Sequence, residues 1–198
     1  DRLRAILRSA LHRERSCRLR LSIYRQLRTL IHRVGVRFLF MAIHSEDLLL
    51  QLDDSEELET FLSWEEVFGN GNPVQVEVGI GKGRFLIESA QRYPAVNFLG
   101  IEWASKYLRI ARDRSLKREL DNIRFVRTDA KEFVEFFIPA SSVAAYHIYF
   151  PDPWPKKRHH KRRLFDPQFV VELERTLAEN GELWLATDHL EYFEVIVE

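Results

Sequence analysis

Cysteine is almost absent, with Cys17 the only one in 198 residues. It cannot close a disulfide within the chain, and no Cys/His spacing matches a zinc site, so neither a disulfide framework nor a structural metal is expected. A reducing, cytoplasmic compartment follows as the expectation. Long apolar runs are missing too: the most apolar stretch near the start, 30–43, is short and interrupted by His32, Arg33 and Arg37, which excludes a membrane-spanning helix there. Net charge is also missing, since 30 Lys and Arg balance 30 Asp and Glu. The balance conceals an asymmetry. Residues 1–40 hold eleven Arg, no Lys and two acids, a net +9, which leaves −9 on the remaining 158 residues. A polyanionic partner would have to be met by local basic patches rather than by the field of the whole chain.

What is present suffices for one α/β domain and an extension, at 45% hydrophobic and 12% aromatic residues. In the Arg-rich start, Leu3, Ile6, Leu7 and Leu11, then Leu19, Ile23, Leu27 and Leu30, recur at roughly helical spacing, which allows a basic amphipathic helix or two. An RNA-binding or targeting extension fits that pattern. The favoured reading is plainer. The only methionine is Met41, where the composition turns abruptly from Arg-rich to acidic, so Met41 is expected to be the natural start and 1–40 to be upstream sequence without an evolved fold. Residues 41–73 then read as an acidic lead-in, with a short helix or irregular segment over 45–64 and a loop at 69–73, and 74–198 as the main domain.

In that domain, β-branched and apolar runs predict strands at 74–78, 97–102, 123–128, 143–150 and 182–186. They alternate with helices predicted at 83–92, 104–120, 131–137 and, from an Asp166-Pro167 start, 166–178. Such alternation predicts a doubly wound, mostly parallel, Rossmann-like sheet with ligands at the carboxyl ends of its strands.

Three acids fall at predicted strand ends. Glu77 opens Glu77-Val78-Gly79-Ile80-Gly81-Lys82-Gly83 at the first strand-to-helix turn, where Gly79, Gly81 and Gly83 let the backbone turn sharply and approach a ligand closely. A dinucleotide fingerprint would need glycine at position 84, which is Arg84; the pattern E-x-G-x-G-x-G instead resembles that of class I methyltransferases. Glu102 ends the second strand, where a carboxylate can accept hydrogen bonds from both ribose hydroxyls, or can be an ordinary exposed helix-start residue. Asp129-Ala130 ends the third, in the place where an acid can meet an adenine amino group, though Asp129 could equally cap the next helix. Three acids around one crevice point to a nucleotide pocket.

The fourth strand runs into Phe150-Pro151-Asp152-Pro153-Trp154-Pro155. Prolines on both sides of Asp152 stiffen an extended backbone and aim one carboxylate at the crevice. Trp154 offers a face for stacking a base, or plugs the edge of the core. Residues 156–163, Lys-Lys-Arg-His-His-Lys-Arg-Arg, place six permanent cations in eight positions, suited to RNA phosphates. Adjacent His159 and His160, with no neighbouring Cys or acid, do not form a metal site.

These residues resemble the tRNA (guanine-N7)-methyltransferase family: FPDPWPKKRHHKRR at 150–163, with EVGIGKG at 77–83, GIE at 100–102, TDA at 128–130 and LATD at 185–188. The resemblance covers about 74–192. It implies that Glu77, Glu102, Asp129 and their neighbours Gly79, Gly81, Gly83 and Ala130 bind S-adenosylmethionine. It also implies that Asp152 is the active-site acid, close to the cofactor, and that Lys156 and Asp188 contact substrate. Lys157, Arg162 and Arg163 are expected to hold tRNA phosphates, the target being the variable-loop guanine at position 46. The product would be S-adenosylhomocysteine, and the enzyme a monomer or homodimer with no second subunit evident.

Two departures stand beside the resemblance. The chain ends at Glu198, inside the helix expected after the fifth strand, so the final antiparallel strand pair and a Thr-x-x-Glu substrate motif are expected to be missing and the domain to be C-terminally truncated. The family's Arg-Gly-rich lead-in is not recognisable between Met41 and Pro73. The rival readings are a methyltransferase for another RNA site, an RNA-binding module that has lost catalysis, and a nicotinamide-dependent oxidoreductase, the last opposed by Arg84 and by the lack of a Tyr/Lys or His/Asp pair at suitable spacing.

Overall fold

A computed structural model describes residues 48–50 and 61–197 of the chain. The Arg-rich 1–40 and most of the acidic lead-in lie outside the described residues. In chain order the elements are β1 (Leu49–Leu50), α1 (Trp64–Phe68), β2 (Val74–Val78), α2 (Arg84–Arg92), β3 (Asn97–Ile101), α3 (Ser105–Leu116) and β4 (Ile123–Val126). There follow α4 (Ala130–Phe136), β5 (Val143–Tyr149), a 3-10 helix (Lys157–Arg162), α5 (Pro167–Thr176), β6 (Leu177–Ala186) and α6 (Leu190–Val197).

The strands form one six-stranded sheet in the order β1-β4-β3-β2-β5-β6. Every neighbouring pair is parallel. A parallel strand covered on both faces is apolar on both, and β3 and β4 are buried at every residue. One face carries Val74, Val76, Val78, Tyr146 and Ile148 against Val67, Phe133, Phe169 and Tyr192 of α1, α4, α5 and α6. The other carries Phe98, Ile123 and Phe125 against Leu86, Ile87, Leu108 and Ala111 of α2 and α3. Packing on both faces is what the alternation of strands and helices requires.

Local chemistry sets the helix ends. Ser63 caps α1 by accepting from the Glu66 amide at 3.3 Å, and Gly69 closes it in the left-handed region at φ 72°. Asp166 caps α5 by accepting from the Phe169 amide at 2.9 Å, with Pro167 in the first turn. Two expectations need correction. Leu49–Leu50, inside the segment expected to be a helix or irregular lead-in, pairs in parallel with Phe125–Val126 and adds an edge strand. The helix expected to reach residue 178 stops at Thr176, and β6 begins at Leu177 opposite Val143. The register then jumps to Glu182 opposite Ala145. Asn180, at φ 61°, thus belongs to a bulge inside β6 rather than to a helix stop. Among the described residues no helix is long and apolar enough to cross a membrane.

Candidate active site

The strand order reverses between β2 and β5: from β2 the chain moves outward through β3 and β4, then returns to place β5 on the other side. A crevice opens at such a switch point beyond the carboxyl ends of the strands. The acids singled out from the sequence stand at the carboxyl ends of successive strands: Glu77 next to last in β2, then Glu102, Asp129, Asp152 and Asp188 after β3, β4, β5 and β6.

The glycine loop leaves β2 and is tied to the end of β3. The Gly79 amide donates to the Ile101 carbonyl at 2.9 Å, and the Gly81 amide to Glu102 Oε2 at 2.9 Å. The other oxygen of Glu102 accepts from the Ala104 amide at 2.8 Å, so this carboxylate joins the loop to the start of α3. Gly79 and Gly81 have φ of 76° and 53°, and a Cβ on either would meet nothing within 4 Å. They front open space, as a loop that receives a ligand must. Gly83 is different: at φ 71°, a Cβ there would sit 2.6 Å from the Ala111 Cβ, so it serves the packing of α2 on α3.

Glu77 is 5% exposed, and its Oε2 has no hydrogen-bond partner. Burial raises its pKa to about 8; a bond from the Leu86 amide lowers it in part, and the charge of Glu102 pushes it up. A buried carboxyl with one oxygen left without a partner is costly by itself, and a cationic ligand would relieve it. Asp129 takes the capping role: Oδ1 accepts from the Lys131 amide at 2.9 Å and the Glu132 amide at 3.4 Å at the start of α4, with Ala130 as the first helical residue.

Asp152 is exposed beyond β5. Phe150 and Trp154, two residues to either side of it and each directly before a proline, have φ of 52° and 43°. Left-handed conformations are strained for bulky residues, and more so before proline, so the backbone on either side of Asp152 is held by its surroundings. One such restraint is Phe150 itself, whose amide donates to the Ala186 carbonyl at 2.7 Å. Asp188 is exposed just past the end of β6, next to β5 in the sheet.

The basic run is a 3-10 helix rather than a loop, and its cations divide into two groups. Lys156, Lys157, Arg158, Lys161 and Arg162 are exposed. Arg162 lies over the half-buried Trp154 ring, 5.0 Å from its centroid. His159 meets the same ring edge-on at 5.8 Å. Arg163, expected to meet a phosphate, is instead 4% exposed. Its guanidinium donates to the Pro153 carbonyl at 2.8 Å and to Glu191 at 3.2 Å, and lies 4.8 Å from the Tyr192 ring centroid. It clamps the segment that carries Asp152 onto α6.

Sequence reasoning missed the polar side chains beside Glu77. Gln75, His147 and Tyr149 form a chain of hydrogen bonds on the face of the sheet under α2. Their signal was available as a period of two: Gln75 and Glu77 alternate with valines in β2, as His147 and Tyr149 do with Tyr146 and Ile148 in β5. Among the described residues, no group of three or more His, Cys, Asp or Glu could hold a metal ion.

The model of a family described as putative methyltransferase matches residues 71–198. Among curated proteins, the chain is similar to the tRNA (guanine-N(7)-)-methyltransferase of Geobacillus thermodenitrificans strain NG80-2, with 42% identity over 131 residues, 66% of this chain and 60% of that protein. The protein of the same name from Listeria monocytogenes serotype 4b strain F2365 is 44% identical over 131 residues, 66% of this chain and 61% of its own. The chain therefore spans about three fifths of the length of these relatives. Among solved structures, precorrin-6y C5,15-methyltransferase from Geobacter metallireducens GS-15 superposes with a TM-score of 0.50 at 19% identity, covering 64% of this chain and 60% of that one. At that identity the likeness speaks for the fold.

Proposed function

The chain belongs to the family of putative methyltransferases, and from that premise we propose that it transfers the methyl group of S-adenosylmethionine to N7 of a tRNA guanine, the variable-loop guanine at position 46. The observation that carries the reading is continuity. The strand β5 ends beside β2, whose loop carries Gly79 and Gly81, and from it the chain runs through Asp152 directly into five exposed cations. A cofactor pocket and a polyanion surface separated by a few residues suit a methyltransferase whose substrate is RNA.

The residues present fit the methyl donor. The glycines leave space for it, Glu102 lies where ribose hydroxyls could reach its remaining lone pairs, Asp129 keeps Oδ2 for an adenine amino group, and the orphaned Oε2 of Glu77 suits a cation. When bound, S-adenosylmethionine supplies an electrophilic methyl group on sulfur, which the in-plane lone pair of guanine N7 can attack without prior loss of a proton. A strong general base is therefore unnecessary. Asp152 orients the base by accepting from its N1 and N2 edge and offsets the positive charge that develops on it. Asp188 holds the guanosine, and Lys156 the adjoining phosphate or base. Lys157 and Arg162 track the phosphate backbone, so affinity falls as salt rises. The protein would act in the cytoplasm, as a monomer or homodimer.

The test is to incubate the full chain with unmodified tRNA and methyl-labelled S-adenosylmethionine, then analyse the labelled bases. N7-methylguanine is the expected product. Label on another atom would redirect the assignment, and tRNA binding without transfer would leave an RNA-binding module.

A further inference from the structure

The polar chain beneath α2 has a direction. His147 is buried at the middle of β5, with Nε2 2.9 Å from Gln75 Oε1 and Nδ1 3.0 Å from the Tyr149 hydroxyl. The Phe85 ring packs over both, 4.6 Å from the imidazole and 5.0 Å from the phenol. Burial lowers the His147 pKa to about 4, so the ring is neutral near pH 7 and carries one proton. An amide oxygen only accepts, so that proton sits on Nε2. Nδ1 is then bare and can only accept, and the Tyr149 hydroxyl must donate to it.

Tyr149 thereby commits its single proton inward and offers a ligand only lone pairs. It is half-buried, the last residue of β5, at the rim of the crevice. Glu77 stands opposite His147 in the parallel register, hence diagonal to Tyr149 on the same face, and its charge is felt at the phenol. Glu77 Oε2 is buried and unpartnered. A lone-pair donor and, on the neighbouring strand, a carboxyl that an arriving cation would hold ionised ask for a ligand that brings N–H groups and positive charge.

We propose that Tyr149 is a ligand-binding residue whose hydroxyl, together with Glu77, accepts hydrogen bonds from the α-ammonium group at the amino-acid end of the methyl donor. His147 and Gln75 are positioning residues that fix the hydroxyl as an acceptor. The inference rests on the S-adenosylmethionine reading above and adds residues to that site which neither the glycine loop nor the strand-end acids include. No proton is transferred in this scheme; the chain sets polarity only.

Calorimetric titration of the full chain with two ligands tests it. S-adenosylhomocysteine carries the ammonium, whereas 5′-methylthioadenosine keeps the adenine, ribose and thioether but lacks the amino-acid end. Tyr149→Phe should weaken S-adenosylhomocysteine about tenfold and leave 5′-methylthioadenosine unchanged. Gln75→Leu, which frees the imidazole to change tautomer, should show the same selectivity with a smaller factor, about two- to threefold. Equal losses for both ligands, or none for either, would overturn the proposal. Nitrogen-15 shifts of His147 in the unmutated chain give a check that needs no variant: protonation at Nε2 is expected, and protonation at Nδ1 overturns it. If the unmutated chain binds neither ligand, the methyl-donor reading itself fails and takes this inference with it. Tight binding of both ligands with no effect of Tyr149→Phe refutes only the role of Tyr149.

Discussion

Glu77 and Asp152 are acids of two neighbouring strands, one within β2 and one just past β5, and their surroundings give them opposite characters. Glu77 is enclosed, and burial lifts its pKa from 4.5 to about 8. Its folded value lies above its unfolded one, so the folded chain holds the extra proton through this window. The contribution to stability is fully present below about pH 4.5 and is lost as pH rises through about 8. Glu77→Gln cannot ionise. The stability difference between variant and unmutated chain should therefore move in the variant's favour by on the order of 3 kcal/mol between pH 5 and pH 8.5. Urea unfolding at the two pH values reads this directly, and a difference that stays constant would show that Glu77 is not the buried, neutral acid described here. His147 acts with the opposite sign. Its pKa is depressed from 6.5 to about 4, so its contribution is present above about 6.5 and lost as pH falls through 4. Asp152, exposed and aimed by its backbone, should show its importance in rate. Asp152→Asn is expected to lower turnover about a hundredfold or more while S-adenosylmethionine affinity changes little; single-turnover kinetics beside equilibrium binding separate the two, and near-normal turnover would remove Asp152 from the mechanism.

The basic 3-10 helix shows how one charge run serves two purposes. Lys157 and Arg162 face solvent, whereas Arg163 is inside, joined to the Pro153 carbonyl and to Glu191. Replacing Lys157 and Arg162 by alanine should weaken tRNA binding and flatten its dependence on salt, by about one unit of logarithmic slope for each phosphate left without its cation. Arg163→Ala should instead cost on the order of 1 to 3 kcal/mol of stability, because a half-buried carbonyl loses its donor and the packing of the guanidinium on Tyr192 is lost, with the salt slope nearly unchanged. Filter binding across a salt series together with thermal unfolding distinguishes the two outcomes, and a steep fall in salt slope for Arg163→Ala would return that residue to the RNA surface. The sequence could not make this division, since composition marks a cation without saying which way its side chain points. Elements were legible where the pattern was plain: β2 has the bounds expected of it, 74–78, because alternating β-branched valines closed by a glycine turn mark a strand. Leu49–Leu50 was not legible, because two residues in an acidic segment have no period, and their pairing with β4 depends on a partner more than seventy residues away. The bulge in β6 was hidden for a related reason: Asn180-Gly181 is turn chemistry, which marks a reversal and an in-strand detour alike.

At the scale of the molecule, the sheet order makes function local. Six parallel strands turn their carboxyl ends to one side, and the order β3-β2-β5 sets the segments that carry Glu102, Glu77 and Asp152 at the ends of neighbouring strands although these residues span seventy-five positions of sequence. The basic helix follows because β5 ends there. A chain with no net charge can in this way present a concentrated cationic surface just beyond the switch point of its sheet. The central claim is that the acceptor is N7 itself. The measurement that tests it most directly compares methyl transfer to two tRNAs that differ at one atom: one with guanine at position 46, the other with 7-deazaguanine there, in which a C–H replaces N7. The account predicts that both bind alike and that only the first takes up a methyl group. Equal methylation of the two would contradict it.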